Sequence, residues 1–415
     1  MVRGIGFPVH LRTLVVVLTA ALSATTAWAA HEKTLHSFTG VDGSYPVAGL
    51  IWDNAGNLYG TTYWGGTHDN RGTAFELMPN ADGTWTRKVL HYFGAGNDGA
   101  HPIGGLVFDA AGNLYGTTSE GGAYCESDVR FGCGTVFELS PNGAGGWTER
   151  ILHNFGDGLD GTFPHAGLIW DSAGNLYGTT TEGGSHNERG TVFELTPRGD
   201  GTWTEKTLHN FANSFDGSYA QAPLIFDAAG NLYGTTHLGG AYGEGTVYEL
   251  SPNGHGGWTE RVLHNFRPAS QCGNPNAGLI WDAAGNLYGT VYYGGPYLQG
   301  AVFELSPNGD GSWTTKFLHY FGNGLDGANP NGSLIFDAAG NLYGTTYDGG
   351  ANHYHGTVFK LTPNGSGGWT ESVVHNFGKG WNPESNLIFD AAGNLYGTTY
   401  SGSINGKGTV FEITP

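Results

Sequence analysis

The sequence predicts an all-β protein, a seven-bladed β-propeller with four-stranded blades, on four observations. The motif L-[IV]-[WF]-D-x-A-G-N-L-Y-G-T recurs seven times, beginning at Leu50, Leu106, Leu168, Leu224, Leu279, Leu334 and Leu387. The copies stand about 55 residues apart, the length of a small sheet that buries its faces against its own neighbours in a closed ring. Glycine supplies 74 of 415 residues, well above the usual share of about 7%, yet it alternates with Leu, Ile, Val, Phe, Tyr and Trp, so it marks turns rather than disorder. Finally, the last repeat stops one strand short, while the chain near residue 33 opens with a copy of that missing strand.

Residues 1–29 read as a signal peptide: Arg3 and Arg12 lead into an apolar run over 14–22, followed by the Ala27-Trp28-Ala29 cleavage pattern. Residues 30–415 are then one propeller domain. The apolar run is too short for a comfortable span, and no later segment approaches the roughly 20 apolar residues of a membrane helix. The expectation is a protein without a membrane span, secreted or periplasmic, with no lipobox cysteine or C-terminal anchor.

Within the first repeat, strand a is expected over 50–53, b over 57–62, c over 73–77 and d over 85–93. Asp53-Asn-Ala-Gly56 forms the turn from a to b, with Asp at its first position and Gly where positive φ is needed. Pro79-Asn-Ala-Asp-Gly83 plays that part between c and d. The segment 33–38 supplies strand d of blade seven and closes the ring, hiding two sheet edges.

G-N-L-Y-G-T-T, G-T-V-F-E-L, L-H-N-F and D-G-x-x-P-x-x-G-L together resemble the GloVer-repeat family of tandem-repeat proteins of bacterial export pathways. The resemblance covers nearly all of the mature chain. A weaker likeness is to the two-component regulator propeller and NHL repeats, which share a D-x-x-G-N-L-[WY] strand pair. The GloVer resemblance implies export and repeat architecture, and it implies no catalytic residue.

A formal net charge of −19, two units more negative without Arg3 and Arg12, and the lack of any Lys/Arg cluster speak against nucleic acid or anionic membranes as partners. Cys125 and Cys133 flank an insertion found in the second repeat alone, and in an exported protein they are expected to form a disulfide. Cys272 is left over.

Residues present in every repeat are most simply scaffold. His36, His91, His153, His209, His264, His319 and His375 share one place in strand d, so seven copies lie far apart on the perimeter and do not converge on a metal. The tyrosine of L-Y-G, the aspartate of the a-to-b turn and nine tryptophans follow the same logic. Two tryptophans of the mature chain fall outside the pattern, Trp64 in the b-to-c loop of blade one and Trp381 in the d-to-a loop entering blade seven. Both connections emerge on one face of a propeller, and that face collects the irregular residues, whereas the opposite turns are nearly identical. Diversity confined to one set of loops on a rigid scaffold is where function belongs.

On that face Trp64, Trp381, His68, Tyr293, Asp348 and His353 are candidate ligand-binding residues, and Glu120, Glu182, His186, His237 and Tyr292 are candidate acid/base groups. No metal site or cofactor is predicted; structural calcium would have to use scattered Asp and Asn side chains, since no D-x-D-x-D-G loop is present. The expected function is that of a monomeric exported binding or interaction module recognising extracellular carbohydrate or protein. The alternative is a secreted polysaccharide lyase or glycoside hydrolase with its site at the channel mouth, a reading that rests on fold analogy.

Overall fold

A computed structural model of the chain describes residues 30–415 apart from 125–132, 186–188, 213–214, 269–271, 353 and 379–380. The seven sheets form a ring, and each runs from a short inner strand a to a long outer strand d. Blade one shows why. Strand a is Ile51–Trp52, b Leu58–Thr62, c Thr73–Pro79 and d Trp85–Tyr92. Strand a is shorter than expected because Asp53 is committed to the turn. Its Oδ1 accepts the amides of Ala55 at 2.9 Å and Asn57 at 2.8 Å, and its Oδ2 accepts the Asn57 side-chain amide and the Tyr59 hydroxyl. Strand c extends two residues further than expected, because Pro79 still pairs with Trp85.

Strand d carries a bulge in every copy. Phe75 pairs with Val89 and Ala74 with His91, so Leu90 is skipped. The closing strand His31–Ser37 begins earlier than expected and pairs antiparallel with Thr409–Thr414. Thr34 faces Phe411 and His36 faces Val410, so the same bulge recurs in a strand drawn from the other end of the chain.

The core lies between blades rather than inside them. One cluster joins Tyr59, Leu90 and Phe93 of blade one to Leu106, Leu114 and Phe137 of blade two, and the ring repeats that arrangement. The strand-d and strand-a tryptophans pack against these clusters, as Trp52 and Trp85 do. Gly60 fits this core by lacking a side chain: a Cβ there would meet the Phe75 ring at 2.8 Å and Leu50 at 2.9 Å.

Blade six has a fifth strand that the sequence did not announce, Ala328–Pro330, whose Ala328 and Pro330 pair with Asp348 and Thr346. Elsewhere the same d-to-a and b-to-c connections meet through single bridges, such as Ser44 with Trp64 and Ala100 with Glu120. These contacts put both sets of loops on one face. Among the described residues, no helix is long and apolar enough to cross a membrane. The leader over 1–29 and Cys125, the expected partner of Cys133, lie outside the described residues.

Candidate binding site at the channel mouth

Each d-to-a loop turns inward through a residue with left-handed backbone. Tyr45 (φ 55°), His101 (φ 58°), Phe163 (φ 55°) and Tyr219 (φ 59°) hold that place in blades one to four, and Asn274, Asn329 and Asn382 hold it in blades five to seven. Only the asparagines suit that region well. Their side chains fasten the turn by donating to the b-to-c loop of the preceding blade: Asn274 to the His237 carbonyl at 3.2 Å, Asn329 to Tyr292 and Asn382 to Tyr347, both at 3.0 Å. Seven left-handed residues at one equivalent position, four of them not asparagine and so strained, mark a shape that the ring over-determines.

The turn aims the second residue after it into the central channel, where a cavity of about 530 Å³ opens. Blades one and two contribute Val47 and Ile103; blades three to seven contribute His165, Gln221, Asn276, Asn331 and Glu384. The mouth is therefore apolar on one side and polar on the other. On the polar side His237 Nδ1 donates to Asn276 Oδ1 at 2.6 Å, and Asn276 Nδ2 donates to Asn331 Oδ1 at 3.2 Å. Below them the Gly278 amide donates to Ser333 Oγ, and the Ser333 amide to Asn386 Oδ1. Burial holds His237 below the ordinary imidazole range and pushes His165 down to about 4, so both rings are neutral near pH 7.

Among the described residues, Glu384 is the one carboxyl in the cavity wall, and burial pushes it up to about 7. Burial raises the phenols of Tyr292, Tyr347 and Tyr400, that of Tyr347 to about 12, and the Glu384 charge adds to each shift. Across the mouth, His101 is buried with its Nδ1 3.0 Å from Glu120 Oε2. Tyr63 and Trp64 pack over its ring, with centroids 5.0 and 4.3 Å away.

Glu182 occupies in blade three the place of Glu120, its carbonyl accepting the Thr162 amide at 2.8 Å. Trp381 is half-buried and stacks on Phe377 at 6.3 Å. His68 is exposed, with Nδ1 3.2 Å from the Tyr92 carbonyl oxygen. Tyr293 is 47% exposed, and with Tyr124, Tyr242, Tyr297 and Tyr354 it forms an outer set of solvent-facing tyrosines on the b-to-c loops. Asp348 is raised by burial, against the opposing charge of His355. His186 and His353 lie outside the described residues. Of the acid/base candidates, His237 is hydrogen-bonded to the cavity wall through Asn276. Sequence reasoning passed over Gln221, Asn276, Asn331, Ser333 and Asn386, although the pair after the loop proline changes from Val-Ala to Ile-Gly, His-Ala, Asn-Ala, Asn-Gly and Glu-Ser around the ring.

The sequence profile of the Gloeobacter/Verrucomicrobia repeat matches residues 21–129, 124–315 and 274–415. The chain belongs to this repeat family. No curated protein matches this repeat protein in sequence. Among solved structures it is similar to a fungal alcohol oxidase of the AA5 family, in complex with copper, at 16% identity and a TM-score of 0.56, covering 93% of this chain and 76% of that one. It is also similar to the gluconolactonase XC5397 of Xanthomonas campestris (14% identity, TM-score 0.42, 92% and 89% covered). PorZ, a surface component of the type-IX secretion system of Porphyromonas gingivalis, matches at 13% identity with a TM-score of 0.46, over 84% of this chain and 48% of PorZ. At these identities the likeness is one of fold.

Proposed function

We propose that this repeat protein is an exported binding module whose channel mouth takes a neutral carbohydrate. The observation that carries the reading is the convergence of the variable loop residues from blades three to seven on one cavity, where they offer amides, a neutral imidazole, the Ser333 hydroxyl and the Glu384 carboxyl. The amides, the imidazole and the hydroxyl exchange hydrogen bonds with a polyol without burying a charge, and Glu384 joins them in its protonated form. Val47 and Ile103 opposite suit the apolar face of a sugar ring, and the outer tyrosines give further stacking surfaces. Export through cleavage after residue 29 belongs to the same reading, and the N-terminal sequence of the secreted protein tests it.

Binding is tested by passing the full chain over a panel of neutral and acidic glycans and repeating the hits with Asn276→Ala and Asn331→Ala. Retention of neutral glycans that falls at least tenfold in both variants supports the proposal. Binding indifferent to both substitutions, or confined to proteins, defeats it.

One observation favours an enzyme as the second reading. A carboxyl in the cavity wall that burial raises to about 7, with its charge felt by three tyrosine phenols, is suited to proton transfer. New reducing ends or ultraviolet-absorbing unsaturated products from the retained glycans, lost in Glu384→Gln, would convert the module into a hydrolase or lyase.

A further inference from the structure

Away from the mouth, each seam between neighbouring blades carries the strand-d histidine. Between blades one and two, His91 Nε2 lies 3.1 Å from Asp98 Oδ2. Glu149, from strand d of blade two, completes a set in which one ligand atom of each residue lies within 4.8 Å of the others. Asp98 is buried and its Oδ1 accepts the Gly94 amide at 2.8 Å. Glu149 Oε1 is buried with no hydrogen-bond partner. Two carboxyl groups and an imidazole thus converge, and one carboxylate oxygen is left unsatisfied at substantial cost.

Other seams indicate what completes the set. Between blades seven and one, Arg87 stands at the position of Glu149; its Nε is 3.5 Å from Asp42 Oδ2, which also lies 2.9 Å from His36 Nε2. There the chain supplies its own cation. The His–Asp–Glu set returns as His209, Asp216 and Glu260 and as His319, Asp326 and Glu371, and the Oε1 atoms of Glu260 and Glu371 are again buried without a partner. In the copy at Glu205, Thr207 replaces an apolar residue and its hydroxyl donates to Oε1 at 3.1 Å. Before blade five the sequence has no aspartate in this place, and the third position is Thr315, whose hydroxyl lies 2.7 Å from His264 Nδ1. Among the described residues, the orphaned oxygen therefore occurs only where two carboxyls share a seam and neither a cation nor a hydroxyl of the chain meets the glutamate.

We propose that the seam between blades one and two binds a divalent transition-metal ion, Zn²⁺ or Mn²⁺, through His91, Asp98 and Glu149. One imidazole nitrogen and two carboxylate oxygens make a mixed donor set that such ions accept, with a further position left for water. The ligands come from strand d of one blade, the loop that follows it and strand d of the next, so the ion staples adjacent blades at their outer edge. The Glu260 and Glu371 seams are looser versions of this site.

The test uses the full chain stripped with chelator, reloaded with Zn²⁺ or Mn²⁺ and freed of excess, with metal content and Tm measured for the wild type, Glu149→Gln and Glu149→Arg. The wild type is expected to retain the ion and melt higher with it. Both variants are expected to retain about one ion fewer per chain, and Glu149→Arg, copying the Arg87 seam, to melt above the metal-free wild type. Circular dichroism of Glu149→Gln keeps the result readable if the arginine variant does not fold. A wild type that retains neither ion, or an unchanged ion count in a folded Glu149→Gln, overturns the proposal. So does a Tm gain in Glu149→Gln at alkaline pH without metal uptake by the wild type, which would mean that a shared proton fills the seam.

Discussion

Thr117 of blade two donates its hydroxyl to the carbonyl of Ala166 in blade three at 3.0 Å. The equivalent strand-b threonine bridges forward from blades three, four, six and seven, as Thr345 does to Ser385 at 3.2 Å. In blades one and five the hydroxyls of Thr61 and Thr290 are buried with no partner, and the residues at the accepting position are Gly104 and Gly332. The same substitution should therefore act differently around the ring. Thr117→Val is expected to cost about 1 kcal/mol, the usual net worth of a hydrogen bond. Thr61→Val removes an unsatisfied hydroxyl and is expected to be neutral or stabilising. Denaturant titration of the two variants beside the wild type checks this, and equal losses would refute it.

Two glycines of the repeat motif do different work. At Gly60 an added Cβ would press on Phe75 and Leu50 in the core, whereas at Gly56, with φ +84°, it would meet nothing within 4 Å. Gly60→Ala is expected to destabilise by about 1–3 kcal/mol through overpacking, and Gly56→Ala by about 1–2 kcal/mol through backbone strain alone. Restoring space with Phe75→Leu should recover part of the first loss and none of the second. A double-mutant comparison by calorimetry reads the difference.

The ring was legible because its cause is local and repeated. Asp53 closes its turn with groups at most six residues away, and such spacing is visible in a single copy of the motif. Closure by His31–Ser37 was legible for the same reason, since a strand-d copy lay at the wrong end of the chain. The mouth was legible only as a face. Asn276 acquires its role from His237, 39 residues before it, and Asn331, 55 residues after it, and nothing within one repeat expresses that partnership. Glu149 was hidden by the same distance: its interest comes from Asp98 and His91 in another blade, and the threonine and arginine at its equivalent positions look like ordinary surface variation.

Asp42 belongs to the seam where Arg87 is the built-in cation. Burial alone would raise its carboxyl, but hydrogen bonds from His36 and from the Thr39 hydroxyl and amide outweigh that and hold it well below the ordinary carboxylate range. A depressed folded-state pKa stabilises the protein above the unfolded value of 3.8 and loses that contribution as pH falls below it. Asp42→Asn should cost roughly 3 kcal/mol at pH 7, as breaking a buried ion pair does. The gap between the wild type and the variant should begin to narrow as the pH is lowered below 4. Melting curves for both proteins from pH 3 to 7 test this, and a gap that stays constant would sink it.

Glu384 carries the opposite sign. Its carboxyl, raised by burial from 4.5 to about 7, favours the protonated form in the folded ring. That preference stabilises the protein fully below about pH 4.5 and is lost as pH rises through about 7. Glu384→Gln keeps a neutral group of the same shape, so the variant and the wild type should melt together near pH 5 and separate by pH 8.5. There the variant is expected to be the more stable, by at most about 3 kcal/mol from the size of the shift. A glycan held at the mouth should follow the same curve: the protonated carboxyl donates a hydrogen bond that the carboxylate cannot, so wild-type affinity falls between pH 6 and 8 while that of Glu384→Gln stays flat. Parallel melting curves across the whole range would show that Glu384 is solvated and ionised, and the proton-transfer reading would go with it.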